Sequence, residues 1–130
     1  MICKINPARF EVGQGHLVSV SEKWIDRELS IHEEYAIYAI GVYNGVTKIL
    51  IDPSNNGRPV WYSLNHFVIS DSVLTNGWEM FYNDEADWSL IIGYNKLVRS
   101  EDHFNGILER NEMDLKKFAE FESGNSGDMA

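Results

Sequence analysis

The clearest pattern in the chain is a pair of apolar runs on either side of an Asn-Gly dipeptide. Residues 35–43 (YAIYAIGVY) and 46–51 (VTKILI) are rich in the aromatic and β-branched side chains that favour strands. Asn44-Gly45 tolerates the positive φ angles of a type I′ turn. The pattern therefore predicts a central β-hairpin, followed by a loop at residues 52–57 (DPSNNG).

Shorter apolar runs on both sides of this hairpin predict further strands. They fall at residues 16–20, 59–62, 67–69, 78–82 and 88–92. The last two runs form an antiparallel pair around an exposed acidic turn at residues 83–87. Residues 21–29 suit either a short helix or a strand, because Trp24, Ile25 and Leu29 fit both periods.

From Ser100 the apolar residues follow the period of a helix. Phe104, Ile107 and Leu108 fall on one helical face, and Ser100 is a suitable residue for the N-cap. Gly106 in the helix interior costs about 1 kcal/mol relative to alanine, so we expect this helix to be short or bent.

A second helix is predicted to begin at Asn111, which can cap it. Its inward-facing residues are Leu115, Phe118 and Ala119. The expected fold is α+β, with an antiparallel β-sheet that contains the central hairpin and two C-terminal helices after it. We expect one domain at residues 1–122 and a flexible tail at 123–130, because the tail (SGNSGDMA) has little to bury.

Composition narrows the class of protein. The chain has 130 residues, of which 44% are hydrophobic, enough to build a core. Cys3 is the only cysteine, so the chain forms no intrachain disulfide, which suits a reducing compartment. The N-terminal residues lack the apolar run of a signal peptide, and no run approaches the ~20 apolar residues of a spanning helix. We therefore expect a cytoplasmic protein that does not bind membranes.

Charge is distributed unequally along the chain. Residues 1–60 carry 7 acidic against 6 basic residues, while residues 61–130 carry 13 against 5, so the second half holds nearly all of the net charge of −9. Binding to nucleic acid needs clustered Lys and Arg, and Lys116-Lys117 is the only adjacent basic pair. We expect no nucleic-acid binding. The acidic half is either a docking surface for a basic partner or simply a source of solubility.

No catalytic or metal-binding motif accompanies the acidic residues. His32-Glu33-Glu34 begins like a zinc-protease HExxH motif, but Ala36 stands where the second histidine would be. The other histidines are scattered, Cys3 has no surrounding motif, and no serine lies in a GxSxG sequence. We expect no metal ion, no cofactor and no enzymatic activity.

Two weaker alternatives remain. Asp71 lies within an apolar stretch, where it caps a turn or, in a hydrolase, acts with His66. The tryptophans and tyrosines are expected mainly in the core, although they could also line a ligand pocket. The alternative function is thus a small α+β enzyme or a small-molecule-binding domain with an aromatic-lined pocket.

Parts of the chain resemble small immunity proteins of bacterial toxin systems, including contact-dependent growth inhibition. The resemblance lies in residues 35–52 (YAIYAIGVYNGVTKILID), 67–78 (FVISDSVLTNGW) and 91–118, which begin IIGYNKLVRSEDHF. It implies inhibition by binding a cognate toxin, with no catalytic residues. Many intracellular toxins are nucleases, so we expect the partner to be a basic nuclease-type domain whose active site an acidic surface would cover.

The candidate contacts with this partner come from the acidic turn and the helices. They are Asp84, Glu85, Asp87, Trp88, Glu101, Asp102, Glu109 and Glu112. The acidic residues would attract a cationic surface, and Trp88 would anchor the centre of the interface.

Overall fold

Strands fill the first three quarters of the chain and helices follow them. The computed structural model describes residues 1–13, 16–19, 25–26 and 29–125. The strands are β1 (Ile2–Ile5), β2 (Phe10–Gly13), β3 (His16–Ser19), β4 (Ile25–Asp26), β5 (Glu34–Ala36), β6 (Ala39–Tyr43), β7 (Val46–Ile51), β8 (Val60–Ser63), β9 (Phe67–Asp71), β10 (Trp78–Tyr82) and β11 (Trp88–Tyr94). The helices are α1 (Asn95–Arg99), α2 (Glu101–Leu108) and α3 (Glu112–Asn125). The α+β class is therefore confirmed.

Three antiparallel sheets are formed by the described strands. The largest has five strands in the order β10-β11-β6-β7-β8. A three-stranded sheet has the order β5-β1-β9, and another has the order β2-β3-β4. Every strand pair is antiparallel, and strand β10 lies at one edge of the largest sheet.

The predicted hairpin lies at the centre of the five-stranded sheet. Tyr43 pairs with Val46 across the turn, where Asn44 and Gly45 have φ angles of 47° and 82°, as a type I′ turn requires. The run at residues 35–43 is not one strand, however. Its first residues belong to β5 in another sheet. The chain crosses between sheets at Ile37-Tyr38, where the Ile37 amide donates to Met1 O and the Tyr38 amide donates to Leu50 O on β7.

Two hydrophobic cores lie on opposite faces of the five-stranded sheet. Along β7, Ile49 and Ile51 pack into the core shared with β1 and β9, whereas Leu50 packs against the helices. This alternation follows from the period of two in a strand. The result is three layers, in which the large sheet separates the small β5-β1-β9 sheet from the three described helices.

The two predicted C-terminal helices are confirmed, and a short helix, α1, precedes them. The Ser100 hydroxyl accepts a hydrogen bond from the His103 amide at 3.1 Å, so Ser100 caps α2 as predicted. Asn111 likewise accepts from the Met113 amide at 3.0 Å at the start of α3. Leu108, which shares the helical spacing of Phe104 and Ile107, is 39% exposed at the end of α2.

Other predicted elements are partly covered by the described residues. The strand predicted at 16–20 is present as β3, although Val20 lies outside the described residues. In the segment 21–29, Ile25–Asp26 form β4, while Trp24 is outside the described residues. Helix α3 extends through Asn125, into the segment predicted as a tail, and residues 126–130 are not described.

Candidate functional site

An acidic turn joins β10 to β11, as the sequence predicted. Asp84, Glu85 and Asp87 are all exposed. The turn is fixed by a hydrogen bond within it, in which the Asn83 side chain accepts from the Glu85 amide at 3.0 Å. The Asp87 carbonyl accepts from the Asn44 amide at 2.9 Å, which joins the acidic turn to the turn of the central hairpin. The three carboxylates therefore project from a well-supported loop.

A cleft of about 550 Å³ lies between this turn and the helices. We call it the hairpin–helix cleft, after the β10–β11 hairpin and the helices α1 and α2 that line it. Among the residues that line it are Phe81, Asp87, Trp88, Leu97, Arg99 and Glu101. The fold thus brings together three of the predicted contact residues, namely Asp87, Trp88 and Glu101. Such a concave site with apolar walls and a charged rim is suited to holding a side chain of a partner.

Trp88 is held in the cleft wall by other aromatic rings. Its ring centroid lies 4.7 Å from that of Trp61 and 5.2 Å from that of Phe104. The indole also lies directly against Gly41. A Cβ added to Gly41 would lie 2.7 Å from a Trp88 ring carbon. Gly41 is therefore needed for this ring position. Trp88 is half-buried, so part of its indole remains accessible to a partner.

The cation that lines the cleft is already paired. Arg99 Nε donates a hydrogen bond of 2.7 Å to Glu79 Oε1 on β10. This hydrogen bond and the charge of Glu79 raise the pKa of the Arg99 guanidinium. Because Glu79 partly neutralises Arg99, the charge at the cleft rim is set by Asp87 and Glu101.

The remaining predicted contacts divide into two groups. Asp102 is exposed beside Glu101 at the start of α2 and lies near the cleft. Glu109 and Glu112 are also exposed, but they lie beyond the opposite end of α2. Glu112 Oε1 accepts a hydrogen bond of 3.1 Å from Arg58, so its charge is partly balanced from the N-terminal half. The eight candidates therefore do not form a single cluster.

Strand β10 has an open edge beside the acidic turn. Asn83 N–H donates to Ser89 O at 2.9 Å, so the alternation of an antiparallel ladder directs the backbone groups of Met80 and Tyr82 away from β11. Within the described part of the chain, β10 pairs only with β11. The Met80 and Tyr82 side chains are each 65% exposed. An exposed apolar edge strand is a surface on which another chain can pair.

A buried chain of hydrogen bonds joins the helices to β11. Tyr94 Oη lies 2.9 Å from His103 Nε2, and His103 Nδ1 lies 2.9 Å from Asp114 Oδ1. Burial lowers the pKa of His103, against the opposing effect of Asp114, and raises the pKa of Tyr94. The three residue types resemble a catalytic relay. Tyr94 is only 2% exposed, however, so its hydroxyl is not available to a substrate and the relay is structural.

His66 and Asp71 do not form the site that a hydrolase would need. His66 is buried, and its Nε2 lies 3.0 Å from the Ser19 hydroxyl. Asp71 is exposed and accepts a hydrogen bond of 3.0 Å from the Val73 amide, which is the turn role that the sequence favoured. No group of three or more potential metal ligands occurs among the described residues.

A second cavity, of about 300 Å³, lies near the end of α3, and we call it the Glu122 pocket. Its lining includes three aromatic residues, Tyr38, Trp78 and Phe121, and the carboxyl group of Glu122. Tyr38 Oη donates a hydrogen bond of 2.9 Å to Glu122 Oε2. Burial and a hydrogen bond to Asp52 raise the pKa of Glu122 to about 7.

No pattern in the sequence identifies this carboxyl pair. Asp52 and Glu122 are seventy positions apart in the sequence, and neither lies in a motif. The sequence places Asp52 in a loop. Asp52 does fix that loop, because its carboxylate accepts hydrogen bonds from the amides of Asn56 at 3.2 Å and Gly57 at 2.8 Å. Only its burial beside a second carboxyl distinguishes it from an ordinary loop aspartate.

Comparison of the chain with protein-family models, curated proteins and solved structures gave no match. None of the helices in the described residues combines the length and the apolar content needed to cross a bilayer. Function is therefore inferred from the chemistry of the surfaces and cavities themselves.

Proposed function

We propose that this chain is an immunity protein that binds a cognate bacterial toxin and covers its active site with an acidic surface. The toxin would be a basic nuclease-type domain, and both proteins would meet in the cytoplasm. The observation that carries the proposal is the set of exposed carboxylates on the acidic turn and at the start of α2, of which Asp87 and Glu101 line the hairpin–helix cleft. Its members are Asp84, Glu85, Asp87, Glu101 and Asp102.

These carboxylates are available to a partner. Within the described part of the chain, none of the five forms an ion pair. A nuclease has to bind phosphates with Lys and Arg, so its groove attracts the same negative charge. Complementary fields of this kind raise association rates toward ~10⁸–10⁹ M⁻¹s⁻¹ at low salt, whereas the chain itself is repelled by nucleic acid.

The neighbouring apolar surface would supply affinity in addition to charge. Exposed acidic residues alone mainly affect association rates, while buried aromatic anchors account for most of the binding energy in protein interfaces. Trp88 offers part of its indole to a cationic side chain, and a guanidinium can stack on such a ring. Phe81, which is 40% exposed and lines the same cleft, extends this apolar surface onto β10.

The proposal is tested with two variants that change the net charge equally. The turn variant carries Asp84→Asn, Glu85→Gln and Asp87→Asn. The control variant carries Glu11→Gln, Glu33→Gln and Glu120→Gln, three exposed acidic residues outside the cleft lining. Each protein is used to capture partners from the native host, and each captured partner is then expressed alone and together with this chain.

We expect the wild type and the control variant to recover one basic protein in a 1:1 ratio. Expression of that protein alone should stop bacterial growth, and co-expression of this chain should restore it. The turn variant should bind the partner at least about tenfold more weakly. Recovery of no stoichiometric basic protein, or of a partner whose expression is harmless, would overturn the proposal, as would substrate turnover by the isolated chain.

A further inference from the structure

The Glu122 pocket combines features that recognise an organic cation. Tyr38 and Phe121 both line it and pack edge to face, with ring centroids 6.3 Å apart and ring planes at 74°. Trp78 lines the same cavity from β10. Aromatic ring faces attract cations, and cages of several rings bind alkylated ammonium groups. We propose that the Glu122 pocket binds a small free alkylammonium compound, with the rings around its alkyl groups and Glu122 facing its charge.

The carboxyl group of Glu122 is held in place by the side chains of Tyr38 and Asp52. The Tyr38 hydroxyl donates to one of its oxygens, and Asp52 contacts the carboxyl from the loop after β7. Asp52 is itself fixed by the backbone amides of residues 56 and 57. A cation in the pocket would therefore meet a fixed carboxylate with a second acidic group behind it, and little ordering would be needed on binding.

No lysine, arginine or histidine belongs to the described residues that line this cavity. Met1 lines it, and its α-amino group is the one positively charged group on a lining residue. Because no lysine or arginine among the described residues lines the cavity, a bound cation would supply positive charge that no lining side chain gives to Glu122. A volume of about 300 Å³ is at the lower end of ligand pockets, which favours a small compound over a large one.

The affinity of the pocket for a cation should depend on pH, because Glu122 can carry a proton. Its pKa is raised to about 7, so the carboxyl is about one tenth ionised at pH 6 and about nine tenths ionised at pH 8. A cation binds only the ionised form well, so its affinity should be about tenfold higher at pH 8 than at pH 6. Binding at pH 7 should release about half a proton for each cation bound.

The test uses choline as the cation and 3,3-dimethylbutan-1-ol as its neutral analogue of the same shape. Isothermal titration calorimetry with the full chain measures both at pH 6 and pH 8. We expect choline to bind at least about tenfold more tightly than the alcohol at pH 8. The Glu122→Gln variant should remove that preference, whereas Glu120→Gln, on an exposed residue of the same helix, should leave it unchanged. Trp78→Leu should weaken choline binding, and thermal unfolding shows whether that variant is folded.

Several results would overturn the inference. One is the absence of choline binding at concentrations up to about 10 mM, a limit that corresponds to less than about 3 kcal/mol of binding free energy. Equal binding of choline and the alcohol, or unchanged choline affinity in folded Glu122→Gln, would also contradict it. Tighter binding of a trimethyl-lysine peptide than of choline would exclude a small free compound as the ligand. None of these results depends on whether a toxin partner exists.

Discussion

His103 on α2 and Asp114 on α3 are joined by a hydrogen bond of 2.9 Å between Nδ1 and Oδ1. His103 is buried, and its second ring nitrogen lies 2.9 Å from the Tyr94 hydroxyl at the end of β11. One imidazole therefore connects both major helices to the central sheet. This arrangement fixes α2, which forms one side of the hairpin–helix cleft.

Removal of this imidazole should destabilise the protein strongly. His103→Ala leaves the Asp114 carboxylate and the buried Tyr94 hydroxyl without their shared partner, and we expect a loss of about 2–4 kcal/mol in the free energy of unfolding. Urea denaturation measures this loss. His32→Ala, at an exposed histidine, is the control and should change stability by less than about 0.5 kcal/mol. A similarly small effect at His103 would contradict its linking role.

His103 should also make stability depend on pH. Burial lowers its pKa in the folded state below the ordinary value of 6.5, so the unfolded chain binds the proton more readily. The contribution is fully present above pH 6.5 and is lost as the pH falls toward the lowered pKa. Denaturation of the wild type and of His103→Gln between pH 7.5 and 5.5 measures the difference. The variant should lose less stability over this range; an equal loss would contradict the prediction.

Gly106 should resist replacement by alanine, although helix propensity favours alanine by about 1 kcal/mol. A Cβ at this position would collide with the Asp114 carboxyl group and would lie 2.8 Å from the Asp114 Cβ. Since the Asp114 side chain would have to move and give up its hydrogen bond to His103, we expect Gly106→Ala to lower the free energy of unfolding by about 1–3 kcal/mol. Thermal unfolding measures the change. A higher melting temperature would show that propensity outweighs the contact.

Glu122 should destabilise the folded chain at alkaline pH. Folding raises its pKa from 4.5 to about 7, so the penalty grows as the pH rises between these values and is complete above them. Glu122→Gln should therefore be more stable than the wild type at pH 8, by roughly 1–2 kcal/mol after allowance for partial exposure, and equal to it near pH 4.5. Urea denaturation at both pH values tests this, with Glu120→Gln as the control. A difference that is the same at both pH values would contradict the pKa shift.

Local signals in the sequence predicted much of the fold. The Asn44-Gly45 turn and the capping residues Ser100 and Asn111 act within a few positions of themselves, so their roles can be recognised without the tertiary structure. The crossing of the chain at Ile37-Tyr38 could not be predicted in this way. It depends on backbone partners at residues 1 and 50, which no local pattern identifies.

The candidate site was predicted less completely, for the same reason. The exposure of Asp84, Glu85 and Asp87 followed from their position in a polar turn. The hairpin–helix cleft did not, because it forms only when α1 and α2 pack beside that turn. Likewise, the sequence indicated that Gly106 weakens a helix, whereas the structure shows that Asp114 requires it.

The central claim is that carboxylates of the acidic turn steer a basic partner to the cleft. Stopped-flow measurement of association with the partner recovered by capture, at 0.01 M and 1 M salt, tests it most directly. The Debye length falls from ~30 Å to ~3 Å over this range, so the wild-type and control rates should fall by about tenfold or more. The turn variant should begin slower and depend less on salt. A wild-type rate that does not change with salt, or equal salt dependence in the turn and control variants, would contradict the claim.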